Sequence, residues 1–288
     1  MQWIDYEAPT SIDEAVEAFK RLGSNARALA GGTDLLVQMR AGRRDNKVVV
    51  DVKKVPELNA ISWDPTKGLT LGAAVPCYKI AEHADVREHY AGLIDVVEMI
   101  GGTPIQGRAS VGGNLCNAAP SADSIPALIA YAAICHIVGP GGVRHVPVEE
   151  FCTAPGKNVL AENEFLVSLH LPPPGPNSGA RYIRFIPRNE MDIAVVGAGV
   201  SVTLENGNFQ SARVALASVA PTPLYVAAAG DAVAGKPVNE ETIAAAAEAA
   251  KEAASPISDM RAPAEYRKQL CAVLTRRAIE DAVERARG

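Results

Sequence analysis

Two stretches carry paired glycines beside small polar residues: "LAGGTDLL" at 29–36, and "SVGGNLCNAAPSADS", which starts at Ser110. Glycine has no β-carbon, so a polyanion can lie against its backbone N–H groups, and a helix starting just after such a turn adds the positive end of its dipole. One favourable charge at a helix N-terminus contributes about 0.3–1 kcal/mol, so several donors together can hold a pyrophosphate. Thr33 and Ser110 supply hydroxyls, and Asn114 and Asn117 supply amides suited to phosphate oxygens or ring carbonyls.

Each pair also has a plainer reading as a turn after a strand, and Cys116 suggests a third, a metal-ligand loop. The cysteines, at 77, 116, 135, 152 and 271, form no C-x-x-C pair. Zinc and iron–sulfur sites lean on such pairs, so incidental thiols are the favoured reading and any electrons must travel on an organic cofactor. Neither glycine pair fits the G-x-G-x-x-G fingerprint or the G-x-x-x-x-G-K loop, which argues against a nicotinamide Rossmann site and NTP hydrolysis. His83, His89, His136, His145 and His170 are scattered along the chain and read as surface or strand histidines, so no general acid or base is named.

The elements that must carry these loops can be read from periodicity and punctuation. "PTSIDEAVEAFKRLG" is an amphipathic helix with Thr10 or Ser11 as cap, Asp13 and Glu14 in its first turn and Gly23 as its stop. "ARALAGG", "TDLLVQMRAG" and "KVVVDV" follow as strand, helix and strand. "GLTLGAAVP" is a strand, "CYKIAEHADVREHY" and "AGLIDVVEMIG" are helical, and the apolar helix "SIPALIAYAAI" precedes strands at "CHIVGP", "VRHVPVEEF" and "ENEFLVSLHLP". The run "LPPPGPNSG" breaks both periods and marks a domain boundary. Beyond it, "ARYIRFIPRN", "IAVVGAGVSVTLENG" and "FQSARVALASVA" read as a three-stranded antiparallel sheet followed by three helices, with Asn206-Gly207 as a tight turn.

Composition narrows the function classes. A formal net charge of −5 argues against nucleic acid as the main partner, and Arg40, Arg43 and Arg44 read as a solvated helix end or an interface rim. No segment approaches the roughly 20 apolar residues of a membrane span, and the acidic start "MQWIDYEAP" lacks the positive region of a signal peptide, so the cytoplasm is the expected compartment.

Taken in order, "AGGTDLLVQMR", "ASVGGNLCNAAPSAD", "EFLVSLHLP" and "MDIAVVGAGVSV" resemble the flavoprotein subunit of the molybdenum hydroxylases, a family that includes xanthine dehydrogenases and aerobic carbon monoxide dehydrogenases. The resemblance covers nearly the whole chain. It implies an α+β fold: an FAD-binding domain of the p-cresol methylhydroxylase and vanillyl-alcohol oxidase type over 1–175, with subdomains of about 1–56 and 57–175, then a carbon monoxide dehydrogenase flavoprotein-like domain over 176–288. It implies that Leu29, Ala30, Gly31, Gly32, Thr33, Asp34 and Leu35 wrap the pyrophosphate of FAD and that Ser110, Val111, Gly112, Gly113 and Asn114 form a second wall. Gly101 and Asn117 join the cofactor set, Asp123 falls where an aspartate meets the sugar or phosphate region, Leu166 where a leucine meets adenine, and Ile193 near the isoalloxazine ring. The residues themselves also allow Asp123 to be an N-cap for the helix at Ser124. Xanthine dehydrogenases carry a lysine two residues beyond the position of Ile193, and Val195 stands there in this chain, which weakens the case for NAD as acceptor.

By resemblance, electrons come from a molybdenum cofactor on a large partner subunit through two 2Fe–2S clusters on a small one, reach FAD here and leave to a quinone or NAD, in a dimer of heterotrimers. Two rivals belong to other classes. One is a stand-alone flavin oxidase of the vanillyl-alcohol oxidase type, in which Cys116 could bond to the flavin; the other is a scaffold subunit that has lost the cofactor.

Overall fold

The computed structural model describes residues 3–189 and 191–288, so Met1 and Gln2 of the acidic N-terminal stretch lie outside the described residues. Its first layer is a three-stranded parallel sheet of β1 (Asp5–Glu7), β2 (Ala26–Leu29) and β3 (Val48–Asp51), in the order β1-β3-β2. Val48, Val49 and Val50 are all buried, as a central parallel strand covered on both faces requires. Helix α1 (Ile12–Leu22) links β1 to β2; Ser11 Oγ accepts the Glu14 N–H at its start, and Gly23, at φ 56°, ends it. Helix α2 (Leu35–Arg40) links β2 to β3.

The second layer holds β4 (Ile61–Asp64), β5 (Gly68–Gly72), β6 (Ile134–Gly139), β7 (Gly142–Pro147), the small hairpin β8 (Cys152–Ala154) and β9 (Lys157–Asn158), and β10 (Phe165–Leu171). Apart from the hairpin these strands form an antiparallel sheet ordered β4-β5-β10-β6-β7. Between β5 and β6 lie α3 (Cys77–Glu82), α4 (Ala84–His89), α5 (Ala91–Val97), α6 (Thr103–Gln106), α7 (Val111–Asn117) and α8 (Ser124–Ala130). One sheet face buries Leu69, Leu71, Cys135, Ile137 and Leu169 in a core with Leu93, Leu115 and Leu128 of these helices. Val138, Phe165 and Val167 instead pack with Phe19 and Val50 of the first layer, and the rings of Phe19 and Phe165 sit 5.3 Å apart.

The histidines are less scattered than their sequence positions suggest. Because β6 lies between β7 and β10, the His136 ring sits 4.4 Å from that of His145, tilted to it, and stacks with that of His170 at 6.1 Å between ring centroids. Burial, then the neighbouring His145 and His170, hold His136 below the usual imidazole range. No group of three metal-ligating side chains occurs among the described residues, so this reads as a polar sheet face.

The third layer has β11 (Ser178–Phe185), β12 (Val196–Glu205), β13 (Asn208–Ala217) and β14 (Leu224–Tyr225), with α9 (Ala227–Val233), α10 (Glu240–Ala253) and α11 (Ala264–Arg287) packed on it. The sheet therefore has four strands where the pattern suggested three; two residues are too few to show alternation, and "LY" reads as the start of the helix that begins at Ala227. Asn206 and Gly207, both at positive φ, make the expected hairpin turn.

Two contacts fix this layer to the second. Helix α8 is buried along its whole length against β12 and β13, where a β-carbon at Gly199 would lie 2.6 Å from the Pro126 backbone. Asp95 of α5 accepts from Arg181 Nη1 (2.8 Å), Arg285 Nη1 and Nη2 (2.7 and 2.9 Å) and the Tyr182 N–H (3.1 Å). Removing one partner of such a buried cluster strands the others, so Asp95→Ala is expected to destabilise the protein by about 3 kcal/mol. Urea unfolding of variant and wild type checks this.

Candidate functional site

A cavity of about 720 Å³ opens between the first two layers, within the size range of cofactor clefts. The two glycine loops, far apart in sequence, form facing walls. Ala30, Gly31, Gly32, Thr33, Asp34 and Leu35 line one side; Ser110, Gly112, Gly113, Asn114 and Asn117 line the other, and Leu166 of β10 joins them. Leu29 and Val111 are buried and do not line the cavity. Leu29 packs beneath Gly32, where a β-carbon would come within 2.9 Å of Leu29 Cδ1.

The loops meet backbone to backbone. A β-carbon on Gly31 would lie 2.0 Å from the Arg108 carbonyl oxygen, and one on Gly112 would lie 2.5 Å from that of Ala73. Arg108 Nε donates to the Gly31 carbonyl at 3.0 Å, and Lys53 Nζ, held by Asp51 at 2.7 Å, donates to the Ala30 carbonyl at 2.9 Å. With these carbonyls taken by cations, the N–H groups of Gly31, Gly32, Thr33 and Asp34 meet no protein acceptor among the described residues. They are the donors a polyanion at this wall would use.

Across the cavity, Ser110 Oγ accepts the Gly113 N–H at 3.0 Å as the cap of α7, which leaves the hydroxyl proton to donate elsewhere. Asn114 Oδ1 accepts from Ser124 Oγ at 2.7 Å, tying α7 to α8. The hairpin of β8 and β9 closes the end of α7: Asn158 Nδ2 donates to the Cys116 carbonyl, and the Gly156 N–H to that of Ala118. Cys116 lines the cavity, but burial pushes its thiol up to about 12, so it is protonated at neutral pH and a poor nucleophile. Burial likewise raises Asp34 above the usual carboxylate range.

Three further residues singled out in the sequence, besides Leu29 and Val111, do not line the cavity. Gly101, at φ 59°, makes the turn that brings Ile100 and Ile105 to the cavity wall. Ile193 lies outside it, 49% exposed, while Val195 is fully buried. Asp123 points toward the third layer: Tyr182 donates to Oδ1 at 2.6 Å and Arg184 to Oδ2 at 2.7 Å. Nor does Asp123 cap α8, for its backbone is already helical and its side chain makes no capping bond.

Other lining residues were not foreseen. Arg44, read as part of a solvated helix end, turns into the cavity, where it joins Arg27 and Gln38. Gln38 falls four residues after Asp34 and so shares its face of α2, a signal the spacing contained. Thr153, Lys157 and Asn158 come from the hairpin, which no pattern had marked.

The fold and this cavity define a flavin-binding class, and comparison with known proteins agrees. Residues 2–174 match the family model described as the FAD binding domain in molybdopterin dehydrogenase, and residues 181–282 match the CO dehydrogenase flavoprotein C-terminal domain. The chain is 34% identical over 275 residues to the putative xanthine dehydrogenase FAD-binding subunit XdhB of Escherichia coli K12, covering 94% of each. It is 29% identical over 278 residues to the carbon monoxide dehydrogenase medium chain of Hydrogenophaga pseudoflava, covering 96% of each. A solved carbon monoxide dehydrogenase chain from that organism superposes with a TM-score of 0.95 at 30% identity, covering 99% of this chain and 98% of that one. A quinoline 2-oxidoreductase chain from Pseudomonas putida 86 superposes with a TM-score of 0.91 at 27% identity, covering 99% of each. The chain belongs to the FAD-binding subunits of the molybdopterin dehydrogenases, a family of oxidoreductases. The α+β fold expected from the sequence is the one observed. No helix among the described residues is long and apolar enough to cross a membrane.

The backbone contact between the loops predicts a sharp difference between two glycines. Gly31→Ala is expected to destabilise by about 2 kcal/mol or more because Arg108 must move, whereas Gly141→Ala, with open space around it, should stay within about 0.5 kcal/mol of wild type. Parallel urea titrations of the two variants check this.

Proposed function

We propose that this chain binds FAD in the cavity between its two glycine loops and serves as the electron-transfer subunit of a multi-subunit molybdenum hydroxylase. The observation that carries the reading is that two motifs far apart in sequence wall one cavity with unpaired N–H donors. When bound, FAD supplies a two-electron store that can be filled and emptied one electron at a time. The chain's own part is binding and orientation. The N–H groups of residues 31–34 would hold the pyrophosphate, Ser110 would donate from the facing wall, Leu166 would meet the adenine, and Ile193, outside the cavity, is the residue that the resemblance sets near the flavin ring.

The partners in this reading are a large subunit with the molybdenum cofactor and a small subunit with two 2Fe–2S clusters, assembled as a dimer of heterotrimers in the cytoplasm. Electrons pass from the clusters to this chain and on to a quinone or NAD. The domains divide near residue 175, where the proline-rich segment separates β10 from β11. Val195, where xanthine dehydrogenases carry a lysine, brings no positive charge to that position, which weakens the case for NAD over a quinone.

Purified chain mixed with FAD at micromolar concentration should show bound-flavin absorption bands, and the two partners should co-purify with it from the native host. A protein that stays colourless at that concentration overturns the reading in favour of the scaffold. The protonated Cys116 thiol predicts a non-covalent cofactor. Acid precipitation should release all of the flavin, and a coloured pellet would point instead to the covalent oxidase type.

A further inference from the structure

Three polar side chains on the cavity wall form a hydrogen-bonded chain. Arg44 Nε donates to Gln38 Oε1 at 2.5 Å, and Gln38 Nε2 donates to Asn117 Oδ1 at 2.8 Å. The bond from Gln38 to Asn117 spans from α2 to α7, the helices that follow the two glycine loops.

The direction of this chain is fixed at one end. An amide can present either its oxygen or its nitrogen, and only its partners decide which. A guanidinium has donors and no acceptor, so Gln38 must turn its oxygen to Arg44 and its N–H2 to Asn117. Asn117 must then turn its oxygen to Gln38. Its own N–H2 is left without a protein acceptor among the described residues, on a side chain that lines the cavity.

The surrounding charge selects the acceptor. Arg27 and Arg44 both line this part of the cavity, and neither forms an ion pair with a carboxylate among the described residues. Two unpaired cations beside an outward N–H2 favour an anionic oxygen over a flavin carbonyl.

We propose that Arg44 and Gln38 are positioning residues that hold Asn117 with its amide N–H2 directed at a pyrophosphate oxygen of the dinucleotide. This rests on the FAD reading above and extends it to residues outside both glycine motifs. Without Gln38, Asn117 is free to turn its oxygen toward the phosphate, and the donor is lost part of the time.

A double-mutant cycle on cofactor affinity tests this, using the full chain stripped of flavin and titrated separately with FAD and with ADP. Asn117→Ala is expected to weaken FAD about tenfold, and Gln38→Met about fivefold, from loss of a hydrogen bond to a charged group. In the Asn117→Ala background, Gln38→Met should cost less than about twofold more, because its effect passes through Asn117. ADP should weaken by the same factors as FAD, since the contact lies in the part they share. Gln38→Leu serves as a second variant, and urea unfolding of the flavin-free proteins should match wild type.

Gln38 variants that bind FAD within twofold of wild type overturn the proposal, as does an equal loss in both backgrounds. Weakened FAD with unchanged ADP overturns the assignment to pyrophosphate. Wild-type chain that fails to bind FAD at all overturns the functional reading itself, a result distinct from the others.

Discussion

The site depends on one close approach. At Gly31 the chain runs so near the Arg108 carbonyl that a single β-carbon would overlap it, and Arg108 then reaches back to bond the Gly31 carbonyl. This contact brings the starts of α2 and α7 to the same cavity. Phe19 and Phe165, which also line the cavity, pack the two layers together with their rings 5.3 Å apart. A dry apolar interface along the whole length would leave no room for a ligand. Here apolar packing and the glycine contact bracket an open stretch between them.

None of the described residues of the third layer lines the cavity, yet the layer is bonded to the second wall. Helix α7 is bonded to α8 through Asn114 and Ser124, and α8 is pressed into the third sheet at Gly199. Asp123 belongs to this support. Its carboxylate binds Tyr182 and Arg184, and Arg184 also binds the Met99 carbonyl, just before the Gly101 turn. Asp123 thus ties the segments that line the cavity to the third layer.

Much of the fold was legible because its signals are local. Ser11 and Gly23 bracket α1, the valines of β3 announce a central strand, and the prolines after Leu171 mark the passage to the third layer. The glycine loops were legible as candidate walls for the same reason. What escaped depends on tertiary placement. Arg44 looks like a solvated helix end until β2 and the hairpin enclose it, and β14 is too short to show a period. The grouping of His136, His145 and His170 follows from the strand order, which places β6 between β7 and β10 although β10 comes much later in the chain.

Donors gather around the two glycine loops, although Asp34, Glu162 and Glu164 also line the cavity. Backbone N–H groups, a serine proton, an asparagine amide and two arginines face it, while the thiol of Cys116 stays protonated through burial. Such a set can grip an anion and orient it. Asp34, in the first glycine loop, lines the cavity too, and burial raises its pKa above the usual carboxylate range. Around Cys116 the groups that face the cavity are thus amides and a hydroxyl, with the protonated thiol beside them.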